Sequence, residues 1–148
     1  MTLEDKINAD IKSAMLAREK DKLEALRAIK SAVLLAKTEK LGAELSEDTE
    51  LKLLQKLVKQ RRESAEIYNA QNREDMANAE LFQAGIIEQY LPQQLSPEEI
   101  KTVLQKIISD TGANSAIDMG KVMGLASKEL AGKADGKTIS ALVKELLS

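Results

Sequence analysis

Cysteine and histidine are absent from this chain of 148 residues. Their absence excludes disulfides, thiolate and imidazole metal ligands, cysteine nucleophiles and histidine general bases. Carboxylate-bound magnesium is the metal chemistry that stays open, yet no pair of carboxylates lies in a pocket-like sequence context. No serine–lysine arrangement of the kind an amidase needs lies near a glycine-rich loop. We therefore predict no catalytic residue, no cofactor and no metal site.

Aromatic residues are scarce, since only Tyr68, Phe82 and Tyr90 occur. Hydrophobic residues nevertheless make up 43% of the chain. The core must therefore be built from Leu, Ile, Val, Ala and Met, as in helical bundles. No segment alternates with the period of a strand, so we predict an all-α fold.

Long apolar runs are also missing, the longest being residues 32–36. A membrane span needs about 20 apolar residues. Acidic residues close to the N-terminus argue against a signal peptide, and a net charge of −2 argues against a protein that coats nucleic acid without discrimination. We expect a cytoplasmic protein that does not associate with membranes.

The two prolines, Pro92 and Pro97, indicate a boundary, and five of the seven glycines follow it. We predict an N-terminal helical domain over residues 1–92, with about four helices including a long hairpin. A small three-helix tail domain follows over residues 93–148. The fourth helix, from about Arg73 to Tyr90, is expected to bury five side chains: Met76, Ala79, Ile86, Ile87 and Tyr90.

Residues that begin helices recur along the chain. A Ser, Thr or Asp side chain can accept a hydrogen bond from a free backbone N–H of the first turn, and a Glu three residues later can complete a capping box. Ser96 is the strongest example, since Pro97 and two acids follow it. The predicted capping residues are Thr2, Asp21 (with Glu24), Ser46, Ser96 and Asp135.

The segment from Asp118 to Lys137 is rich in lysine and glycine, and after its first residue it holds only two acids, Glu129 and Asp135. Lys133 and Lys137 flank Asp135, which caps a helix. Because a helix N-terminus presents unpaired N–H groups and a partial positive charge, added lysines favour binding of phosphate. The alternative is a plain connector. The spacing does not fit a nucleotide-binding loop, and no aromatic residue follows Tyr90 to stack on unpaired bases.

Gly120, Gly124 and Ser127 form a strip of small residues opposite the apolar side of their own helix, with Lys121 and Lys128 on either side. Glycine costs roughly 1 kcal/mol relative to alanine in a helix interior, so the strip needs a reason. Close approach of another helix is one explanation, close approach of a ligand is the second, and a local kink in the helix is the third.

A second candidate surface lies on the long third helix, where Lys52, Lys56 and Lys59 lie within one arc and Arg62 lies near its margin. The alternative is an ordinary solvated helix face.

Arg61 interrupts the apolar stripe of the same helix. We expect it to pair with Glu80 or Glu88 of the next helix, because an unpaired buried guanidinium would be costly. The alternative is that Arg61 marks an interface.

Several of these motifs resemble a known family. DMGKVMG (118–124), GKADGK (132–137) and LVKE (142–145) are similar to the tail domain of GatB, a subunit of tRNA-dependent amidotransferases. The same tail occurs in the small YqeY proteins. The N-terminal part is also similar to YqeY, through LRAIKSA (26–32), LVKQRRESAEIY (57–68), Arg73 and YLPQQLSPEEI (90–100).

The resemblance implies an all-helical fold and a tail that helps to hold tRNA. Carried over by position, the resemblance implies five residues that contact RNA: Gly120, Lys121, Lys133, Gly136 and Lys137. With the residues read above, the candidate RNA-binding set is Gly120, Lys121, Gly124, Lys128, Lys133, Gly136 and Lys137.

The amidotransferase's own catalytic domain has no counterpart here. We therefore expect a non-catalytic tRNA-handling accessory protein, with tRNA and amidotransferase subunits as partners. A helical adaptor that binds protein is the alternative. By similarity alone, the chain would be a component of a carbon–nitrogen ligase that uses glutamine as nitrogen donor.

Overall fold

A computed structural model describes residues 2–148, and every regular element in this part of the chain is a helix, which confirms the predicted all-α class. This part contains seven α-helices and a short 3₁₀ turn at Ala116–Asp118. Their bounds are α1 Leu3–Leu16, α2 Lys20–Glu39, α3 Glu47–Ala70, α4 Glu74–Glu88, α5 Pro97–Thr111, α6 Met119–Glu129 and α7 Gly136–Leu147.

Four of the five predicted capping residues are confirmed. Thr2 and Ser96 each form a complete capping box, and Ser46 and Asp135 each accept a hydrogen bond from the third residue of their helix. In every case the capping side chain satisfies an N–H that has no partner within the helix.

The capping box predicted at Asp21 is wrong. α2 begins at Lys20, after Glu19, and no side chain of residues 2–148 caps its N-terminus. Only residues 17–19 separate α1 from α2, and Arg18 adopts a left-handed φ of 59°. The Glu19 N–H donates to the carbonyl of Ala14 at 3.0 Å. This tight turn determines where α2 begins, one residue before Asp21.

The chain forms two compact units, Met1–Leu91 and Pro92–Ser148. The first contains α1 to α4, with α3 and α4 as a long antiparallel pair. Its core is aliphatic, and the buried residues of the main cluster are Ile7, Ala14, Ala25, Leu26, Ile29, Val33, Leu54, Val58, Ala84, Ile86 and Ile87.

The buried side of α4 differs in part from the prediction. Ile86 and Ile87 are buried and Tyr90 is partly buried, as expected, but Met76 and Ala79 are exposed. Ala77 and Ala84 occupy the contact with the neighbouring helices instead. α4 carries apolar residues on most of its circumference, so the apolar pattern alone does not define which side packs.

The second unit contains α5, α6 and α7 around its own core. The buried residues are Ile100, Leu104, Ile107, Val122, Ala126, Leu130, Ile139, Leu142, Val143 and Leu147. α6 packs against both α5 and α7. Residues 130–135 connect α6 to α7, so the C-terminal end of α6 lies close to the N-terminal end of α7.

Candidate nucleic-acid interface

The strip of small residues on α6 faces solvent. Gly120, Gly124 and Ser127 are all exposed, and a Cβ atom added to either glycine would meet no heavy atom within 4 Å. No helix of residues 2–148 therefore needs these glycines for close packing. The buried Val122 and Ala126 lie on the other side of α6, as the sequence predicts.

Lys121 and Lys128 lie along one edge of this strip, not on either side of it as expected. The two lysines are seven positions apart, which in an α-helix is two full turns less about 20°. Their side chains therefore point in nearly the same direction, and they lie about 10 Å apart along the helix axis. The single acid within α6, Glu129, points away from the strip by the same geometry. Glu129 is exposed too, but the side of α6 that carries the strip holds cationic charge only.

The N-terminus of α7 is also open to solvent. Asp135 accepts a hydrogen bond from the Thr138 N–H at 2.7 Å, and its carbonyl accepts one from Ile139. Within residues 2–148, the N–H groups of Gly136 and Lys137 have no hydrogen-bond partner, and both residues are exposed. Two free donors thus remain at the positive end of the α7 dipole.

We use "basic surface" for Lys121, Lys128, Lys133 and Lys137. All four side chains are exposed, and none forms an ion pair within residues 2–148. The last three lie in the final turn of α6, the connection and the first turn of α7. Chain connectivity therefore gathers these three cations at one end of the unit, and Lys121 lies two turns further along α6.

Two residues that sequence reasoning missed contact the connection. The side-chain amide of Gln94 donates to the carbonyl of Gly132 at 2.5 Å, and the N–H of Leu95 donates to the carbonyl of Lys133 at 3.0 Å. Residues 38 positions apart in the chain make these contacts, and no local pattern signals them.

The second candidate surface is largely neutralised. Lys52 pairs with Asp48 at 3.1 Å, Lys59 lies 4.0 Å from Glu63, and Arg62 pairs with Glu88 of α4. Within the described chain only Lys56 of this group lacks an ion pair. Exposed pairs of this kind are typical of a solvated helix face.

The predicted partner of Arg61 is wrong. Its guanidinium donates to the side-chain oxygen of Gln83 at 3.4 Å and to the carbonyl of Leu57 at 3.5 Å, and the neighbouring Arg62 takes Glu88. Arg61 is only partly buried, so a neutral amide and water are sufficient to solvate it.

Neither a metal centre nor a membrane helix emerges from residues 2–148. No group of three or more carboxylates in this range is arranged to hold a metal ion. Likewise, none of the described helices is both long and apolar enough to cross a bilayer.

The sequence profile of the YqeY-like proteins matches residues 4–147, which is almost the whole chain. The chain belongs to the YqeY-like family. The match confirms the resemblance to the YqeY proteins.

Individual relatives of this YqeY-like chain come from fungi. The chain is 31% identical to a protein of Meyerozyma guilliermondii over 82% of its own length and 65% of the relative's. It is 31% identical to a protein of Vanderwaltozyma polyspora, over 70% of its own length and 57% of the relative's. It is 33% identical to a protein of Clavispora lusitaniae, over 74% of its own length and 65% of the relative's. The chain thus matches less than two thirds of each of these relatives.

All three relatives bear the name altered inheritance of mitochondria protein 41, mitochondrial. The predicted cytoplasmic location is therefore wrong, because these names indicate the mitochondrion. The composition of the chain argued only against secretion and membrane insertion. It does not distinguish one aqueous compartment from another.

Proposed function

We propose that this YqeY-like protein binds tRNA through the basic surface and acts as a non-catalytic accessory in tRNA handling. The observation that carries the proposal is an open helix N-terminus with two free N–H donors, with three exposed lysines at the same end of the unit and a fourth two turns away along α6. Within residues 2–148 none of the four lysines forms an ion pair. Both features attract phosphate, and they do so independently.

Phosphate and shape are the chemistry by which this surface would recognise RNA. Base stacking needs aromatic side chains, and the second unit has none. A folded RNA with closely spaced phosphates suits four lysines spread over two helices better than an extended single strand does. The similarity to the GatB tail supports tRNA as the folded RNA concerned. The names of the relatives place these proteins in the mitochondrion, so mitochondrial tRNA is the first RNA to test.

A titration of tRNA at several salt concentrations tests this proposal. Four phosphate contacts predict a slope of log K against log salt of about −3 to −4. Fluorescence anisotropy of labelled tRNA at low and moderate salt measures this slope. Binding that is absent at low salt, or unaffected by salt, would count against the proposal.

Charge reversal locates the site. The triple variant Lys121→Glu, Lys133→Glu, Lys137→Glu should lose most of the affinity and of the salt slope. Its control, Lys52→Glu, Lys56→Glu, Lys59→Glu, changes the net charge equally on the neutralised surface and should retain both. Circular dichroism confirms that the variants are folded. Equal losses in the two variants would show a general charge effect and no defined site.

The second candidate function is a helical adaptor that binds another protein. The observation that favours it is the uncovered strip of Gly120, Gly124 and Ser127, since small residues allow the backbone of a partner helix to approach closely. A purified amidotransferase subunit that binds the chain in the absence of RNA would favour the adaptor. Loss of that binding in the Gly124→Leu variant would locate the contact on α6.

A further inference from the structure

The segment of residues 92–96 forms hydrogen bonds to the connection between α6 and α7, residues 130–135. The side-chain amide of Gln94 donates to two carbonyls, that of Pro92 at 3.0 Å and that of Gly132 at 2.5 Å. The next residue, Leu95, donates its N–H to the carbonyl of Lys133 at 3.0 Å, and its side chain packs on the core of the second unit. Two successive carbonyls of the connection are thus fixed by two successive residues of a distant segment.

The connection also forms hydrogen bonds of its own, and Leu130 and Ala134 pack in the core of the unit. Gly132 adopts a left-handed φ of 75°, and the N–H groups of Lys133 and Ala134 both donate to the carbonyl of Leu130. Gly132 is buried, so its carbonyl needs a partner other than bulk water, and Gln94 supplies it. Without the Gln94 side chain, the carbonyl of Gly132, the residue before Lys133, would lose this hydrogen bond.

We propose that Gln94 is a positioning residue for the basic surface. Its side chain, with the backbone of Leu95, holds the 132–133 peptide so that Lys133 stands in a defined place beside the N-terminus of α7. Order established before binding lowers the entropy that the complex must lose. This inference rests on the proposed tRNA binding, and it adds a residue that carries no charge and contacts no phosphate.

The Gln94→Ala variant tests the role, with Gln93→Ala as its matched control. Gln93 is the neighbouring exposed glutamine and makes no hydrogen bond within residues 2–148. Amide hydrogen exchange by NMR should accelerate about three- to tenfold at Leu95 and Lys133 in Gln94→Ala. Exchange at Leu104 and Val143, in the cores of α5 and α7, should stay unchanged. Gln93→Ala should leave all four amides unchanged.

Binding of unmodified tRNA is measured on the same samples. Gln94→Ala should weaken it about two- to fivefold, and Gln93→Ala should not. At about pH 8 a histidine is neutral and donates one N–H, so Gln94→His should recover part of both the protection and the affinity. Loss of affinity without faster exchange at Leu95 and Lys133 would overturn the positioning role, as would faster exchange without loss of affinity.

The two proposals can fail separately. If the unaltered protein binds no tRNA, the proposed function fails, whereas exchange in Gln94→Ala still reports whether Gln94 orders the connection. Unchanged exchange would then overturn this inference too, and accelerated exchange would support its structural half. If the unaltered protein binds tRNA and Gln94→Ala behaves as Gln93→Ala does, only the positioning role is overturned.

Discussion

Tyr90 donates its phenolic hydroxyl to the carboxylate of Asp10, which joins the residue just beyond α4 to the middle of α1. Both residues are partly buried. A hydrogen bond to a charged acceptor in such a place contributes more than an exposed one, because the carboxylate has lost some of its water. This contact closes the first unit next to the point where the chain leaves it.

We expect Tyr90→Phe to lower the free energy of unfolding of the first unit by about 1.5–3 kcal/mol. The ring stays in place, but the Asp10 carboxylate loses its donor. Urea unfolding followed by circular dichroism gives the difference. Tyr68→Phe is the control, since Tyr68 is also partly buried and its hydroxyl makes no hydrogen bond within residues 2–148. Equal effects of the two substitutions would mean that the Tyr90–Asp10 contact adds nothing.

The same contact predicts a dependence of stability on alkaline pH. Burial, and then the hydrogen bond to Asp10, raise the pKa of the Tyr90 hydroxyl above its ordinary value. The folded state thus favours protonated tyrosine, and the stabilisation is complete below the unfolded pKa of about 10 and is lost as pH rises above it. The difference between the unaltered protein and Tyr90→Phe should therefore shrink between about pH 8 and about pH 10.5. Urea unfolding at both values measures it, and a difference that grows would contradict the assignment.

Local sequence signals predicted the helix starts well. At Thr2 and Ser96, the capping residue and its partner are three positions apart, so the interaction needs no contact with a distant part of the chain. Asp21 carries the same signal, and there it fails because a three-residue connection determines where α2 begins. A local signal is reliable only where the neighbouring structure leaves it free to act.

Contacts between helices could not be predicted in the same way. Arg61 and Arg62 are adjacent, and the sequence cannot tell which of them reaches the acid of α4, because this depends on how α3 is rotated against its neighbour. The hydrogen bond from Gln94 to Gly132 is harder still to predict, since only the tertiary fold brings these two residues together. For the candidate site, the pattern indicated the charges, and the fold supplied what holds them.

Gly124 allows a test of what the exposed strip of α6 is for. It lies inside α6 with helical geometry, and an added Cβ would meet nothing within 4 Å. Gly124→Ala should therefore raise the stability of the second unit by about 1 kcal/mol, because alanine loses less backbone entropy. Thermal unfolding measures the gain. A loss of stability would show that the strip is packed against part of the chain after all.

Asp135 combines a structural role with an electrostatic disadvantage for RNA binding. Its carboxylate caps α7 by accepting the Thr138 N–H, and it also places a negative charge between Lys133 and Lys137. Asp135→Ser keeps a capping oxygen and removes the charge, whereas Asp135→Ala removes both. We expect the alanine variant to lose about 1 kcal/mol of stability and the serine variant to lose less.

The serine variant should also bind tRNA more tightly than the alanine variant does. Removal of the carboxylate next to an anion site should strengthen binding about two- to fivefold at low salt in Asp135→Ser. Asp135→Ala should gain less, because its α7 N-terminus frays. The gain should disappear at high salt, where the charge is screened. Weaker binding of Asp135→Ser at low salt would instead place the phosphate away from the N-terminus of α7, and the lysines of α6 would then be the ones to test first.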